Sequence, residues 1–327
     1  MPAVGRAIGL GLGVAGLTAC GTLPHPIADG GSPVSALPPG TPTRPLQHAM
    51  GTTQVPLQPK RVVVLDTAAL DSAIALGVKP IGTMFYLNPP AYLGDKVQGI
   101  TVIGLNNNPN LETVFNLKPD LILGTKMSVG QYYDKLAKAA PTVLTEGSGR
   151  SGEWQENFQL YAAALGRSQQ AKTLLAQYQQ RAQTLKQQIQ AQYQTPPVAS
   201  VVATGNNQVG AYTRRSFSGS VLADVGLPRP PAQEQPERWA IQVSREDLSS
   251  LDGDVIFLIA SPGTPDTENL QRFKTEPIFS QLNAVKQNRV YPVKAEVWTA
   301  GRSILAANEI LNDVSRQLLP SQTNKQP

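Results

Sequence analysis

The chain has 327 residues, of which 41% are hydrophobic and 16% are charged, and its formal net charge is +5. This is the composition of a globular protein, and the length suffices for two domains or one large one. No run rich in Lys and Arg accompanies the excess positive charge, which argues against nucleic-acid binding and favours a small anionic ligand.

The first 20 residues have the pattern of a lipoprotein signal peptide. An apolar stretch of about ten residues leads into Leu17-Thr18-Ala19-Cys20, where a small residue precedes the only cysteine, as in a lipobox. The alternative is the first helix of a cytosolic domain with a buried Cys20, but the repeated glycines disfavour a soluble helix. The stretch is also shorter than the ~20 residues of a transmembrane helix. We expect an extracytoplasmic protein anchored to the membrane through Cys20, on the periplasmic face in a Gram-negative-type cell.

Residues 21–59 are dense in Pro, Gly, Ser and Thr and lack hydrophobic periodicity, which predicts a disordered linker. Both histidines, His25 and His48, fall in this segment, so we expect a folded part with neither His nor Cys. That expectation excludes a Ser-His-Asp hydrolase and a His/Cys zinc site. A glycosidase with a pair of carboxylates remains formally open, although no acidic pair stands out from the helix surfaces. We expect a protein without enzymatic activity, without a cofactor and without a metal site of its own.

From residue 61 onward, short β-branched runs alternate with helical patterns, which is typical of βα units around parallel sheets. A long helix over residues 168–194, about 40 Å in length, separates two sets of strands. It has too few clean heptads for a coiled-coil dimer, so we expect a monomer. The predicted strands are Val62–Leu65, Lys79–Thr83, Thr101–Ile103, Leu121–Leu123 and Thr142–Leu144 before the helix, and Val198–Val202, Val255–Ile259 and Val290–Val293 after it.

The two halves share a local repeat. The first copy is Asn110-Leu111-Glu112 followed by Asp120, and the second is Ser244-Arg245-Glu246 followed by Asp254. Each residue of the first copy lies 134 positions before its counterpart in the second, as Glu112 does before Glu246. Each copy predicts an N-cap, a short helix, a turn and a buried strand. We therefore predict two similar α/β lobes, over residues 60–165 and 196–320, joined by a backbone helix over 166–195 and followed by a tail over 321–327.

Over residues 60–319 the chain resembles the substrate-binding proteins of ferric-siderophore and vitamin B12 ABC importers. The motifs that carry the resemblance are Pro90–Asp95, Pro109–Glu112, Leu117–Leu123, Ser216–Pro230, Val243–Glu246, Asn288–Val293 and Ala306–Asp313. The resemblance implies a class III periplasmic binding protein, in which two Rossmann-like α/β lobes are joined by one long backbone helix. It also implies capture of a ferric siderophore between the lobes and delivery to an ABC permease dimer with its ATPase.

In this family one glutamate at the tip of each lobe pairs with arginines of the permease, and the matching positions are Glu112 and Glu246. A second interpretation is compatible with the first: each glutamate follows a helix cap and stabilises the helix dipole by about 0.3–1 kcal/mol.

A ferric siderophore brings its own iron ligands, so its binding protein has to supply positive charge, aromatic faces and hydrogen-bond donors. The candidates in loops after strands, and near the rim of the second lobe, are Tyr86, Lys126, Tyr212, Arg214, Arg215, Trp239, Trp298 and Arg302. The planar fork of arginine suits a carboxylate- or citrate-containing siderophore. At most one of Arg214 and Arg215 is expected to face the cleft, and Trp154 is expected to pack in the core.

Three other functions stay open. Vitamin B12 (cobalamin) would use the same fold and docking residues, and haem could be bound through a tyrosine. A lipid-anchored scavenger or sensor without a transporter would have the same sequence features. In each case the continuous helix predicts a largely preformed cleft with modest closure.

Overall fold

A computed structural model describes residues 37–85, 88–204, 209–244, 246–259, 271 and 273–320. The described residues belong to one compact unit. Cys20, His25, Tyr86 and the tail over 321–327 lie outside them, and so does the expected signal peptide. Within the described ranges no helix combines the length and apolarity needed to cross a membrane.

A β-hairpin opens the described chain, where the sequence predicted a disordered linker. It consists of β1 (Thr43–His48) and β2 (Gly51–Pro56), which pair antiparallel. Its residues are anchored to the first lobe: Ala49 N–H donates to the Leu144 carbonyl at 3.0 Å, and Val55 is fully buried in the main core. The linker prediction is therefore wrong for this stretch. The exposed Thr and Gln residues of the hairpin give it a polar composition, but it is folded, with Val55 buried in the core.

His48 is part of the fold, which corrects the expectation that the folded part holds no histidine. Its Nδ1 accepts from the Leu144 N–H at 3.3 Å, and its Nε2 lies 2.8 Å from the Thr53 hydroxyl. Burial lowers its pKa. Both ring nitrogens are thus used structurally, and His48 supplies no catalytic or metal-binding group.

The first lobe is built on a six-stranded sheet with the order β6-β5-β4-β3-β7-β8. Five of its strands run parallel, and β6 is antiparallel to β5. The turn from β5 to β6 uses Asn106 and Asn107, both with positive φ, as a tight hairpin turn requires. The strands are β3 (Val62–Val64), β4 (Gly82–Phe85), β5 (Thr101–Leu105), β6 (Asn108–Pro109), β7 (Leu121–Thr125) and β8 (Thr142–Thr145).

The second lobe is built on a five-stranded sheet with the order β11-β10-β9-β12-β13. Here β9, β12 and β13 are parallel, whereas β10 is antiparallel to both of its neighbours. Both sheets are therefore mixed, not purely parallel as the strand pattern predicted. The strands are β9 (Ala199–Thr204), β10 (Val209–Tyr212), β11 (Ala240–Val243), β12 (Val255–Ile259) and β13 (Val290–Val293).

The internal repeat corresponds to an equivalent element in each lobe. Asp120, just before β7, accepts from the N–H groups of Lys60 and Arg61 ahead of β3. Asp254, just before β12, accepts from the Val198 N–H ahead of β9 at 2.8 Å. Each carboxylate thus fixes the register of two adjacent parallel strands.

The helices pack around both sheets and between the lobes. The long helix α6 has 25 residues and buries one face, including Leu175, Tyr178 and Ile189. The helices are α1 (Thr67–Ala75), α2 (Leu111–Asn116), α3 (Lys126–Val129), α4 (Tyr133–Ala139), α5 (Trp154–Ala164), α6 (Ser168–Gln192), α7 (Phe217–Asp224), α8 (Asn283–Lys286) and α9 (Ile304–Leu318). A π-helical turn covers Glu296–Gly301, immediately before α9.

One hydrophobic core is shared by the two lobes. It includes Val62 of β3 and Phe257 of β12 together with the buried face of α6. Trp154 lies fully buried in this core, edge-on to Tyr178 and Phe217 at ring distances of 5.1 and 6.0 Å. The lobes are thus connected by packed helices as well as by one continuous helix, and Trp154 packs as expected.

The last helix returns to the first lobe. Asp71 of α1 accepts from the Leu305 and Ala306 N–H groups, each at 3.0 Å, and so caps α9 from a distant part of the chain. Next to it, the Ser72 and Ser303 hydroxyls lie 2.8 Å apart. These bonds hold the π-helical turn and the start of α9 against the first lobe.

Candidate functional site

The candidate site lies where the parallel strands of the first lobe end and residues of the second lobe meet them. In the first sheet the chain runs outward from β3 to β4 and β5 on one side, and to β7 and β8 on the other. Ligands of open α/β sheets bind in the crevice beyond the carboxyl ends of the strands, at this switch point. Asp66 follows β3, Met127 and Ser128 follow β7, and all three line the same pocket.

Two adjoining pockets form the cleft and share Arg150 and Arg302. The first, which we call the aromatic pocket, has a volume of about 210 Å³ and is otherwise lined by Tyr212, Ser216, Phe217, Trp239, Trp298, Thr299 and Ala300. The second, the N-lobe pocket, has a volume of about 120 Å³ and is otherwise lined by Leu65, Asp66, Thr67, Met84, Phe85, Asn107, Met127, Ser128 and Ser148.

Arg302 is held rigidly between the two pockets. It follows the π-helical turn in a left-handed conformation, with φ of 51°. Its Nε donates to the Ala300 carbonyl and its Nη1 to the Ser148 carbonyl, each at 3.2 Å. Burial lowers its pKa, and the nearby Asp66 carboxylate acts in the opposite direction. These bonds fix the guanidinium in place before any ligand binds.

Arg150 is positioned by the glycine-containing loop between β8 and α5. The Gly149 N–H donates to Glu153 at 3.0 Å, and the Arg150 carbonyl accepts from the Phe217 N–H of the second lobe at 3.0 Å. Gly149 has φ of 78°, and a Cβ there would lie 3.1 Å from Arg302. The loop therefore needs glycine at this position in order to bring the two arginines together.

The Arg150 guanidinium has no hydrogen bond or ion pair to any described part of the protein. It lies over the Trp239 ring, 5.4 Å from the ring centre, which is within range of a cation–π contact. Burial lowers the pKa of Arg302, and the positive charge of Arg150 lowers it further. Burial raises the pKa of Tyr212, and the charge of Arg150 acts against that rise. A guanidinium in this position is available to bind an anion.

Aromatic side chains form one wall of the cleft. Tyr212 and Trp239 lie 6.1 Å apart between ring centres, and burial raises the pKa of Tyr212, which therefore stays protonated at neutral pH. Trp298 is fully buried and donates through Nε1 to Asp313 at 2.8 Å. Trp239 keeps 38% of its surface exposed and is the aromatic face most open to a ligand.

The N-lobe pocket contains polar groups that are buried and unpaired. Asp66 accepts from the Ala69 N–H through Oδ1 at 2.8 Å and so caps α1, while its Oδ2 has no partner in the described structure. The Ser148 hydroxyl is also buried without a described partner. Burial raises the pKa of Asp66, and the backbone N–H groups of Ala69, Ala68 and Thr125 act against this rise together with the charge of Arg302.

The sequence-predicted ligand residues fall into three groups. Tyr212, Trp239, Trp298 and Arg302 line the cleft. Lys126, Arg214 and Arg215 do not line it: Lys126 pairs with Glu146 at 2.9 Å, Arg214 with Glu234 at 3.6 Å, and Arg215 donates to the Pro236 carbonyl at 3.0 Å. Tyr86 lies outside the described residues, and ligand contact stays a prediction for every residue of the set.

Several lining residues were not found from the sequence. Arg150 lies in a loop with no recognised motif, and its role depends on contacts with the second lobe. Asp66 comes directly after a predicted strand, which is a signal that would have identified it.

The two predicted docking glutamates have different local structures. Glu112 is exposed in the first turn of α2, whose Asn110 side chain accepts from the Thr113 N–H at 3.0 Å. Glu246 is exposed in a turn that precedes the 3-10 helix Leu248–Leu251. The helix-dipole interpretation therefore fits Glu112 only, because Glu246 lies before its helix.

A further depression, of about 330 Å³, lies between α6 and α9 and is larger than either pocket of the cleft. Glutamines line much of it, and its one charged group, Arg181, is bound to Asn308 and Asn312. It lacks an available charge and an aromatic face, so the cleft is the better candidate. No cluster of His, Cys, Asp and Glu able to hold a metal ion occurs among the described residues.

Comparison with known proteins gives consistent matches. Residues 62–297 match the periplasmic binding protein family. The probable siderophore-binding lipoprotein YfiY of Bacillus subtilis (strain 168) is 33% identical, over 85% of this chain and 88% of its own length. The Fe(3+)-citrate-binding protein YfmC of the same organism is 28% identical, over 84% and 86%. The crystal structure of SirA of Staphylococcus aureus complexed with staphyloferrin B superimposes with a TM-score of 0.75 at 29% identity, covering 84% of this chain and 98% of that one.

Proposed function

The chain belongs to the periplasmic binding protein family, and we propose that it captures a ferric siderophore in the cleft between its lobes for an ABC importer. Members of this family bind their ligands without transforming them, and the chain is accordingly a binding protein and not an enzyme. Iron enters as cargo that the siderophore already coordinates, so no protein ligand to the metal is required.

The observation that carries the proposal is the unpaired Arg150 guanidinium beside Arg302 and Trp239. A buried or half-buried cation without a counter-ion is costly unless a ligand supplies the opposite charge. An anionic chelate with a flat organic shell would supply both the charge and a surface for Trp239 and Tyr212 to contact. Because Arg302 is already fixed by two carbonyls, the site is organised before the ligand arrives.

The two arginines favour carboxylates as the groups that are recognised. A guanidinium binds a carboxylate through two parallel hydrogen bonds, and Arg150 has its donors available for such a pair. The relatives named for siderophore and ferric citrate binding support this choice of ligand class. We therefore propose a carboxylate- or citrate-containing siderophore.

Delivery to a permease and attachment to the membrane complete the proposal. Glu112 and Glu246 would dock the two lobes on the permease, since both are exposed and hold matching positions in the sequence repeat. Lipidation of Cys20 would keep the protein near the permease and so raise its effective concentration there.

Ligand titration followed by tryptophan fluorescence tests the proposal, since Trp239 and Trp298 both line the cleft. The purified protein is titrated with ferric citrate, ferric hydroxamate and ferric catecholate siderophores, haem and cobalamin. We expect saturable quenching with the ferric carboxylate complex and weaker binding of the neutral hydroxamate. Quenching by cobalamin or haem alone would contradict the proposal.

A further inference from the structure

The N-lobe pocket is lined by a carboxylate that has a hydrogen bond to only one of its two oxygens in the described structure. Asp66 is only 7% exposed, its Oδ1 caps α1, and its Oδ2 has no described hydrogen-bond partner. Capping of a helix needs one carboxylate oxygen, and Asn or Ser would serve equally well at that position. The second oxygen therefore calls for an explanation beyond the cap.

A second polar group faces the same small space. The Ser148 hydroxyl is buried and has no described partner, although the backbone carbonyl of the same residue binds Arg302. Buried polar groups normally have a partner in the protein or an ordered molecule beside them. Two such groups in one pocket, at the switch point of the sheet, indicate a site for a hydrogen-bond donor.

Arg302 does not fill this role for Asp66. Its charge is near enough to act on the Asp66 carboxyl, but its Nε and Nη1 donate to Ala300 and Ser148. Asp66 and Arg302 form no salt bridge in the described structure. The Oδ2 atom of Asp66 therefore remains without a partner. The acidic residue thus lies in the wall of a pocket that Arg150 and Arg302 also line, with Oδ2 buried just behind that wall.

The pocket size limits what the donor can be attached to. Its volume of about 120 Å³ is smaller than the ~150 Å³ of a cavity that holds benzene. A short aliphatic arm that ends in a primary ammonium fits this space, and Met84 and Met127 offer it an apolar wall.

We propose that the N-lobe pocket binds a primary ammonium group of the siderophore through Asp66 and Ser148, while Arg150 and Arg302 bind its carboxylates. The inference rests on the proposed function and narrows it: the ligand is a zwitterionic iron chelate, with carboxylates around the metal and a free amine on a short arm. The Asp66 carboxylate at one end of the cleft and the two arginines between the pockets would then fix the orientation of the chelate.

A matched pair of probes tests the inference. The first is the ferric complex of a citrate monoamide of ethylenediamine, which carries a free amine, and the second is the same complex acetylated at that amine. Ferric citrate serves as the reference that has no nitrogen. We expect acetylation to weaken binding to the wild-type protein at least tenfold, and Asp66→Asn, which keeps the Oδ1 cap, to abolish this difference.

The outcomes separate the inference from the proposed function. If both probes and ferric citrate bind the wild-type protein equally well, the ammonium site is wrong and the proposed function stands. If Asp66→Asn weakens all three equally, Asp66 is only a helix cap and the ammonium site is again wrong. If no ferric chelate binds the wild-type protein, the proposed function itself fails. The wild-type comparison decides the question even if the variant does not fold.

Discussion

Arg150 and Arg302 share the cleft but differ in what already binds them. Arg302 donates to two carbonyls and is half-buried, so its removal would also disturb the loop that holds Ser148. Arg150 lies over Trp239 without a described polar partner. Arg150 is therefore the residue whose substitution reports on ligand binding rather than on folding.

Replacing Arg150 by alanine should weaken binding of a ferric carboxylate chelate by about 10- to 100-fold. A hydrogen bond to a charged group contributes about 1.5–3 kcal/mol, which corresponds to this range. Arg150→Lys should give a smaller loss, because the charge remains while the planar fork is lost. Isothermal titration calorimetry measures the three affinities.

Arg214→Ala is the matched control for this series, because Arg214 is exposed and already paired with Glu234. We expect it to change the affinity less than twofold. An equal loss in Arg150→Ala and Arg214→Ala would mean that the charge acts at long range and not by contact.

Asp71 should make the protein less stable as the pH rises through the weakly acidic range. Burial raises its pKa from 3.8 to about 6. Between these two values the native state keeps a proton that the unfolded state has released, so the free energy of unfolding falls as pH rises from about 4 to about 6. A difference of about two pKa units corresponds to about 3 kcal/mol.

Asp71→Asn should remove this dependence, since the amide does not titrate. Urea unfolding of the wild-type protein and the variant between pH 4 and pH 7 gives the two stability curves. We expect their difference to change across this interval, whereas parallel curves would show that Asp71 keeps its ordinary pKa in the fold.

The hairpin of β1 and β2 is an integral part of the first lobe. Removing residues 37–57 should destabilise the protein by about 3 kcal/mol or more, from the loss of the buried Val55 side chain and the hydrogen bonds to Leu144. Chemical unfolding of chains that begin at residue 37 and at residue 58 measures this difference. Equal midpoints would mean that the hairpin is an independent appendage.

Sequence patterns predicted the interior strands well, because buried strands such as β12 (Val255–Ile259) are short, continuous β-branched or aromatic runs. The repeat around Asp120 and Asp254 was also found, since each carboxylate stands at a fixed offset before its strand. The hairpin was missed because Pro45 and its Thr- and Gln-rich surroundings lack an apolar alternation.

The candidate site was predicted less completely than the fold. Four of the seven proposed ligand residues that the structure describes line the cleft, and the three that lie outside it have a common physical cause. Lys126 and Arg214 were chosen as cations in loops, but acidic neighbours distant in sequence bind them. Arg150 was missed because its position depends on Gly149 and on a backbone contact with Phe217, neither of which a local pattern reveals.

At the scale of the whole molecule, the shared core limits how far the lobes can move. Hinge motion would have to separate the aromatic contacts of Trp154 with Tyr178 and Phe217, and the capping of α9 by Asp71. Tightly packed cores do not deform continuously. The cleft should therefore be nearly the same shape with and without ligand.

Distances between spin labels test this expectation. Labels on cysteines that replace Lys135 in α4 and Lys286 in α8, in a chain with Cys20→Ser, report the separation of the lobes. We expect the distance to change by less than about 2 Å on binding, in the range of preorganised complexes. A larger change would show that the lobes close by a hinge.

The proposed docking through both lobes predicts that uptake and ligand binding can be separated. Replacing Glu112 and Glu246 together by alanine should abolish uptake in cells while the affinity of the purified protein for its ferric chelate stays within twofold. Asp134→Ala is the control, because Asp134 is also exposed in the first turn of a helix but has no place in the repeat. Loss of affinity in the double variant would contradict the docking role.

The bonds from Asp71 and Ser72 to residues 303–306 also set an order of assembly. They join positions more than 230 residues apart, so the first helix has no complete partner until almost the entire polypeptide has been made. The first lobe is synthesised first, but its packing is consequently complete only after the last helix has been synthesised. A chain with this delay stays incompletely folded for most of its synthesis, which is the state that the proposed export across a membrane would require.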